Sequence, residues 1–329
     1  MVTQAEIARK LGVSRQLVTF ALSGYPQISK KSRNRILAAA REMGYQPNPY
    51  ARFLKKGRSQ IIGLWIPDQI STHYTHVARE LNRLVKAARH ELIVSEVSIA
   101  REKQMLSHVP MDGIIVVDAP DQAEIYRKST MASRAPIISM GASYFKNADA
   151  VQVDLFAGAM EAMEHLIGSG YQRIAHATFV REDSSDGDRR NAYLKAMQKA
   201  KLKPEFIYYP LAEQQRIIVR QMIQEYIREQ GRPDAIFCHS DDVALGIYRG
   251  LCDMKLRVPE DVALVGCDGI QDTEYLEHPI TTLVQPVEEM CATALRFLME
   301  RIEGETAPKP QKIKLKPKLV IRDSSIRRG

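Results

Sequence analysis

The stretch TQAEIARKLGVSRQLVTFALSG, residues 3–24, leaves its backbone few choices. Thr3 followed by Glu6 has the spacing of a capping box, in which each side chain satisfies a backbone amide at a helix start. Ile7, Ala8 and Leu11 then recur at the period of a short helix with one apolar face. Gly12 comes next, where a chain turning sharply out of a helix needs positive φ. Val13 is an apolar plug between helices, and Ser14 can cap a second one, Arg15–Leu22. That helix turns Leu17, Val18, Ala21 and Leu22 inward and presents Arg15, Gln16, Thr19 and Phe20. Ala8, four residues before Gly12, is small enough to let the two helices cross closely around the turn. A third helix is expected from Ser29–Lys30–Lys31–Ser32 to Met43, ended by Gly44.

Apolar spacing alone would fit a plain helical hairpin. Charge argues for more. Residues 1–60 hold twelve Lys or Arg against only Glu6 and Glu42, whereas the whole chain carries 47 basic and 39 acidic residues. A cationic head on a near-neutral body implies that the head meets a polyanion and the body does something else. With two caps and a tight Gly turn, the pattern is that of a DNA-binding helix-turn-helix. In such a unit the first residues of the second helix face base edges, which suits Arg15 and Gln16. The basic start of the third helix can approach phosphate.

From Ile61 the character changes. IIGLWIP, ELIVSEV, DGIIVVDAP and PIISMGA are short apolar runs that read as buried strands, with an amphipathic helix over Val77–Arg89. A second series starts near Leu155. It comprises a helix (Ala157–Gly168), RIAHATF, a helix through Arg190–Lys201, FIYYP, a helix (Gln214–Gln230), DAIFCHS, a helix (Val243–Met254) and VALVGCD. Strands alternating with helices imply parallel sheets covered on both faces. Two such series imply two similar doubly wound lobes, with a ligand cleft between them at the carboxyl ends of strands.

The pieces TQAEIARKLGVS, VTFALSG, ISKKSRNRILAAAREMGYQPN and ARFL resemble the DNA-binding head of the lac repressor family (LacI/GalR), and the resemblance extends over essentially the whole chain. It implies an all-α head at 1–47, a hinge helix and linker at 48–60, and an effector-binding and dimerisation core at 61–329 built like a periplasmic sugar-binding protein. The first lobe is expected at about 61–155 and 287–309, the second at about 156–283 and 312–329. The helix Val287–Glu303 would return to the first lobe, and KLKPKLVIRDSS would close the second. By the same resemblance Arg15, Gln16 and Phe20 read the major groove, with further contacts at Thr3, Ser14, Thr19, Ser29, Tyr45, Asn48 and Ala51. Phe20 stands where many members carry Arg. A phenyl ring can touch a thymine methyl but cannot make a bidentate contact to guanine, or it can pack in the head core. Asn48–Lys55 resembles a hinge helix too short to be stable alone, with Pro49 at its first position and Leu54 as the wedge into a minor-groove step.

In the body the resemblance implies effector contacts at Arg189, Ser240, Asp241 and Asp268, with Gln285 near the lobe hinge. Arg and acidic groups on one cleft suit the paired hydroxyls of a sugar. Each has a plainer reading. Ser240 or Asp241 can simply cap a helix, and Arg189 can be a surface charge. His73 and Tyr74 fall where family members often carry paired aromatic residues, so Tyr74 can stack on a ligand or plug the core. The expected protein is a homodimeric regulator, most readily a repressor, that binds double-stranded operator DNA under control of a carbohydrate effector. A nucleobase acting as co-repressor is the alternative. No tetramer-forming helix is expected after Ser325.

Other classes fit less well. No G-x-S-x-G elbow, H-E-x-x-H or P-loop is present, so catalysis is not expected. Cys238, Cys252, Cys267 and Cys291 are far apart, which indicates neither a zinc site nor a disulfide frame, and no cofactor is expected. A transport solute-binding protein would share the body but need an export signal and no basic head. No apolar run approaches the roughly 20 residues of a membrane span, and MVTQAEIARK lacks the layout of a secretion signal, so a cytoplasmic protein is expected.

Overall fold

The structure, a computed structural model, describes residues 2–45, 58–67, 71–97, 109–128, 135–143, 145, 148–179, 187–210, 214–304 and 309–327. They form two compact units, Met1–Ser59 and Gln60–Gly329.

In the head, α1 (Gln4–Leu11), α2 (Arg15–Leu22) and α3 (Lys30–Glu42) form where the local signals place them. Both halves of the Thr3/Glu6 capping box are made, and Gly12 leaves α1 at φ 65°. Ser14 accepts from the Leu17 amide and Ser29 from the Ser32 amide. Ile7, Ala8, Val18, Ala21, Ile36 and Ala40 make the core, with Leu11, Val13, Leu17 and Leu22 packed against it. The expected hinge helix, with Asn48, Pro49, Ala51 and Leu54, lies outside the described residues.

The body consists of two six-stranded sheets. In the first sheet are β1 (Ile61–Ile66), β2 (Glu91–Glu96), β3 (Gly113–Val117), β4 (Ile137–Gly141), β5 (Asp149–Val153) and β11 (Lys312–Leu315), ordered β11-β5-β4-β3-β1-β2 and parallel throughout. The second holds β6 (Ile174–Phe179), β7 (Glu205–Tyr209), β8 (Ala235–Cys238), β9 (Ala263–Asp268), β10 (Thr281–Val284) and β12 (Lys318–Val320), ordered β12-β10-β9-β8-β6-β7. Only β12 in it runs antiparallel to its neighbour. Strands such as β3 and β9 are buried at every residue, as sheets with helices on both faces require. The helices are α4 (Thr72–Ala87), α5 (Pro120–Lys128), α6 (Leu155–Gly168), α7 (Asp188–Lys199), α8 (Gln215–Gln230), α9 (Asp241–Asp253) and α10 (Val287–Ile302).

The chain passes between the sheets three times: at Asp154, at Gln285–Pro286 and at Lys316–Pro317. The first and third crossings touch, since the Asp154 amide donates to the Leu315 carbonyl at 2.8 Å and Lys314 Nζ lies 3.0 Å from Asp154 Oδ1. Three features differ from the sequence reading. Strand β11, inside the segment assigned to the second lobe, pairs with β5 in the first sheet. Strands β5 (DAVQV) and β10 (TTLV) were not expected, because neither carries a long apolar run. Helix α4 begins at Thr72 rather than Val77, so His73 and Tyr74 stand on its first turn. The segment THYTH has no apolar period to announce it. The short helix expected near Arg101–Ser107 lies outside the described residues.

Candidate functional site

On the head, Arg15 and Gln16 open α2 exposed, with no acidic residue in that first turn. Helix α3 opens on Lys30 and Lys31, again with no acidic residue in its first turn. Cations at a helix N-terminus oppose the helix dipole and cost stability, a cost that a docked phosphate offsets. Thr19 Oγ1 donates to Gln4 Oε1 at 2.7 Å, and Gln4 Nε2 donates to Tyr45 Oη at 3.0 Å. These two residues therefore tie the helices together as well as bordering the exposed face. Thr3, Ser14 and Ser29 serve as helix caps. Phe20 is half-buried and outside the apolar core; its ring stacks on Tyr25 at 4.8 Å and 17°.

In the body, polar groups gather at the carboxyl ends of the strands of both sheets. From the second lobe comes Arg189, in the first turn of α7. Its Nη2 lies 2.7 Å from His239 Nε2, its Nη1 donates to Cys267 Sγ at 3.5 Å, and Asp268 Oδ1 stands 3.9 Å from Nη1. His239 must accept here, so it is the neutral tautomer protonated at Nδ1. Burial, reinforced by the Arg189 charge, pushes its pKa well below the usual histidine value and keeps it so. Asp268 ends β9 at φ 122°, a conformation that side chains rarely adopt, and such strain clusters at functional sites. Its Oδ1 accepts from Gln285 Nε2 at 2.8 Å, which links the cleft to the crossing after β10. Burial raises the Asp268 carboxyl above the ordinary range, opposed by Arg189.

From the first lobe come His73 and Tyr74, their rings 5.3 Å apart, and Asp118 after β3. Asp118 Oδ2 accepts from Tyr74 Oη at 3.3 Å and its Oδ1 from the Ser143 amide at 2.9 Å. Gly141 makes room for that carboxylate, since a Cβ there would lie 2.4 Å from Asp118 Oδ1. Electrostatically Asp118 acts on Asp268, Arg189 and His73, so the two lobes' charged groups share one site. Burial drives His73 down to about 4, and its Nδ1 is buried with no hydrogen-bond partner among the described residues. Such an orphaned donor or acceptor is what a ligand would satisfy.

The expected residues separate at this point. Arg189, Asp268, Gln285, His73 and Tyr74 converge. Ser240 caps α9 through the Val243 amide at 3.3 Å. Asp241 is placed differently: it is fully buried, and its oxygens accept from the Gly269 amide (2.8 Å), the Ile270 amide (2.9 Å) and Thr282 Oγ1 (2.7 Å). With both oxygens engaged it pins the chain leaving β9. Asp118 and His239 were missed. Asp118 carries the same signal that singled out Asp268, an acid at the end of an apolar run.

These titrations predict a pH response. His73 and the buried His176 are both held near 4, so each adds stability above its unfolded value of about 6.5 and loses it as pH falls toward 4. That is about 3 kcal/mol apiece at most. Asp241 and Asp268, raised by burial, act the other way, and the stability they bring grows as pH falls. Asp268→Asn removes one of these compensating acids. Its urea midpoint should drop more steeply between pH 7 and pH 5 than the wild-type midpoint; equal slopes would refute the assignment.

Residues 3–48 match the family profile described as bacterial regulatory proteins, lacI family. Residues 163–325 match that of a periplasmic binding protein-like domain. The chain is 27% identical over 334 residues to the ribose operon repressor of Haemophilus influenzae, covering 98% of both. It is 27% identical over 335 residues to the HTH-type transcriptional repressor PurR of Escherichia coli, covering 98% of this chain and 97% of the relative. In fold it resembles the lac repressor dimer bound to operator and the anti-inducer ONPF, with TM-score 0.80 over 99% of each chain at 21% identity. The CelR–cellobiose complex is similar at TM-score 0.69 and 24% identity, covering 98% of this chain and 100% of that one. A helix-turn-helix head of this type joined to this two-lobed body, matched from end to end by repressors, places the chain in the lacI family of bacterial regulatory proteins.

Proposed function

We propose that this protein is a repressor that binds operator DNA as a homodimer and is controlled by a small, uncharged polyhydroxylated ligand, a sugar or sugar derivative, held between its lobes. The observation that carries the effector half is the convergence of Arg189 and Asp268 from one lobe with Asp118, Tyr74 and His73 from the other. A guanidinium fork between carboxylates suits vicinal hydroxyls, which both donate and accept. Ribose is bound in the related regulator from Enterococcus faecium and cellobiose in CelR. The His73–Tyr74 ring pair favours a second reading, a planar nucleobase stacked at the same place and acting as co-repressor. Asp241 is left out of the proposed contact set.

For the head we assign base reading to Arg15 and Gln16, with Phe20 offering an apolar edge to a thymine methyl. Phosphate contacts fall to Lys30 and Lys31 and to the helix starts at Ser14 and Ser29. The twofold contact is assigned to the face of the second lobe where Ile217 is 52% and Tyr275 77% exposed, beside a groove of about 590 Å³. Among the described residues no helix is long and apolar enough to cross a membrane, and we place the protein in the cytoplasm, with its DNA.

The test is an unbiased selection of duplex sequences followed by gel-shift titration in salt. Specific binding should weaken steeply as salt rises, because docked cations release counterions from the phosphates. Gln16→Ala should cost roughly 1–3 kcal/mol and relax preference at one operator position. An equal loss on cognate and scrambled DNA would remove Gln16 from the base readers. A thermal-shift screen of sugars and nucleobases identifies the effector, since a ligand of the native state raises the melting point.

A further inference from the structure

Helix α4 begins with Ser71 as its N-cap residue, yet the Ser71 side chain makes no capping bond. The Thr72 amide donates instead to Asp242 Oδ2 at 3.1 Å, and Thr72 Oγ1 donates to Asp242 Oδ1 at 3.1 Å. Asp242 lies in the first turn of α9, in the other lobe and 170 residues further along the chain. A helix of the first lobe is therefore capped by a carboxylate of the second. Arg216, at the start of α8, completes the cluster. Its Nε donates to Asp242 Oδ1 at 2.8 Å, and its Nη2 donates to Thr72 Oγ1 at 2.9 Å and to Asp272 Oδ2 at 3.0 Å.

We infer that Asp242 is a positioning residue of the effector cleft: by capping α4 across the gap between the lobes, with Arg216 as counter-ion, it holds His73 and Tyr74 against the second lobe. The inference rests on reading that cleft as the effector site. The first amides of a helix have no internal partner and carry the positive end of its dipole, so a carboxylate is their best neighbour. Bonds to an ionised acceptor are also the stronger kind. This cap exists only while the lobes stay close, and opening returns amide and carboxylate to water. The contact thus stabilises one lobe arrangement and not the other, which is what biasing a two-state equilibrium requires. An effector that closes the lobes works with the latch, and one that parts them works against it. Arg216 also lines the groove beside Ile217 and Tyr275, so the latch adjoins the face assigned to the twofold contact.

The test is amide hydrogen exchange on the full-length protein, and it needs no ligand. Asp242→Ala removes the acceptor. Thr72→Pro removes the amide and hydroxyl donors together and leaves Asp242 in place; proline is accepted at the first helical position, and Ser71 at ψ 127° already has the extended backbone that a following proline requires. Either variant should speed exchange at the amides of residues Tyr74–Val77 roughly tenfold. The double variant should go no further, and Asp242→Asn, which keeps an acceptor without the charge, should fall between. Helix α9 and the head helices should exchange as in the wild type. Unchanged exchange in α4, an additive double variant, or faster exchange spread evenly through both lobes would each overturn the inference. Failure of the regulatory reading would show elsewhere, as absent operator selection and no thermal shift with any sugar or base, so the two failures are distinguishable.

Discussion

Arg189→Ala should abolish the response to effector while leaving the operator affinity of the unliganded protein close to that of the wild type. Removing one partner of a buried, hydrogen-bonded charge set costs on the order of 2–5 kcal/mol, and in this cleft two groups lose a donor while a third loses its counter-charge. His239 Nε2, Cys267 Sγ and Asp268 Oδ1 all face the Arg189 guanidinium. Ligand affinity should therefore fall by roughly thirtyfold to several thousandfold. Arg189→Lys should recover little of it, because an ammonium supplies charge without the planar fork that meets two hydroxyls at once. The measurement is calorimetry with whichever ligand the thermal-shift screen selects, run beside a gel shift without ligand. Unaltered ligand affinity would remove Arg189 from the site. A joint loss of ligand and operator binding would show that it supports folding instead.

The second large effect belongs to the head. Ile36 is 1% exposed on the inner side of α3, where it packs with Ile7, Val18 and Ala21. Ile36→Ala should cost about 2–5 kcal/mol, from lost transfer energy and the cavity left behind. A unit of this size buries too little surface to absorb such a loss. The head should unfold while the body, a separate compact unit, stays native. Operator binding should vanish, the ligand-induced thermal shift should persist, and far-ultraviolet dichroism should lose about three short helices' worth of signal. Retained operator binding would mean that the head draws its stability from elsewhere.

The two replacements draw on different levels of information. Ile36 belongs to a helix whose start and end signals are local, and its burial follows from the face that helix turns to the head core. For Arg189, motif position alone left both ligand contact and surface charge open, and only the distances to His239, Cys267 and Asp268 show what it faces. Asp241 makes the same point in reverse. Its position after a strand suits a ligand or a cap, and only the amides of Gly269 and Ile270 with Thr282 decide that it holds the protein's own chain.

Local chemistry in the sequence was enough to specify the head and the alternation of the body. The Thr3–Glu6 box, the turn at Gly12 and the caps at Ser14 and Ser29 join residues only three or four apart, so their partners are always at hand. The fully buried strands likewise announce themselves as unbroken apolar runs. Tertiary structure alone decided where α4 starts, to which sheet β11 belongs, and that Asp118 lies within electrostatic reach of Asp268. Each depends on a partner remote in sequence: Asp242 caps Thr72 from 170 residues away, and β11 finds β5 across most of the second lobe. A chain's local propensities carry no record of such pairings, because they form only when folding brings segments remote in sequence together.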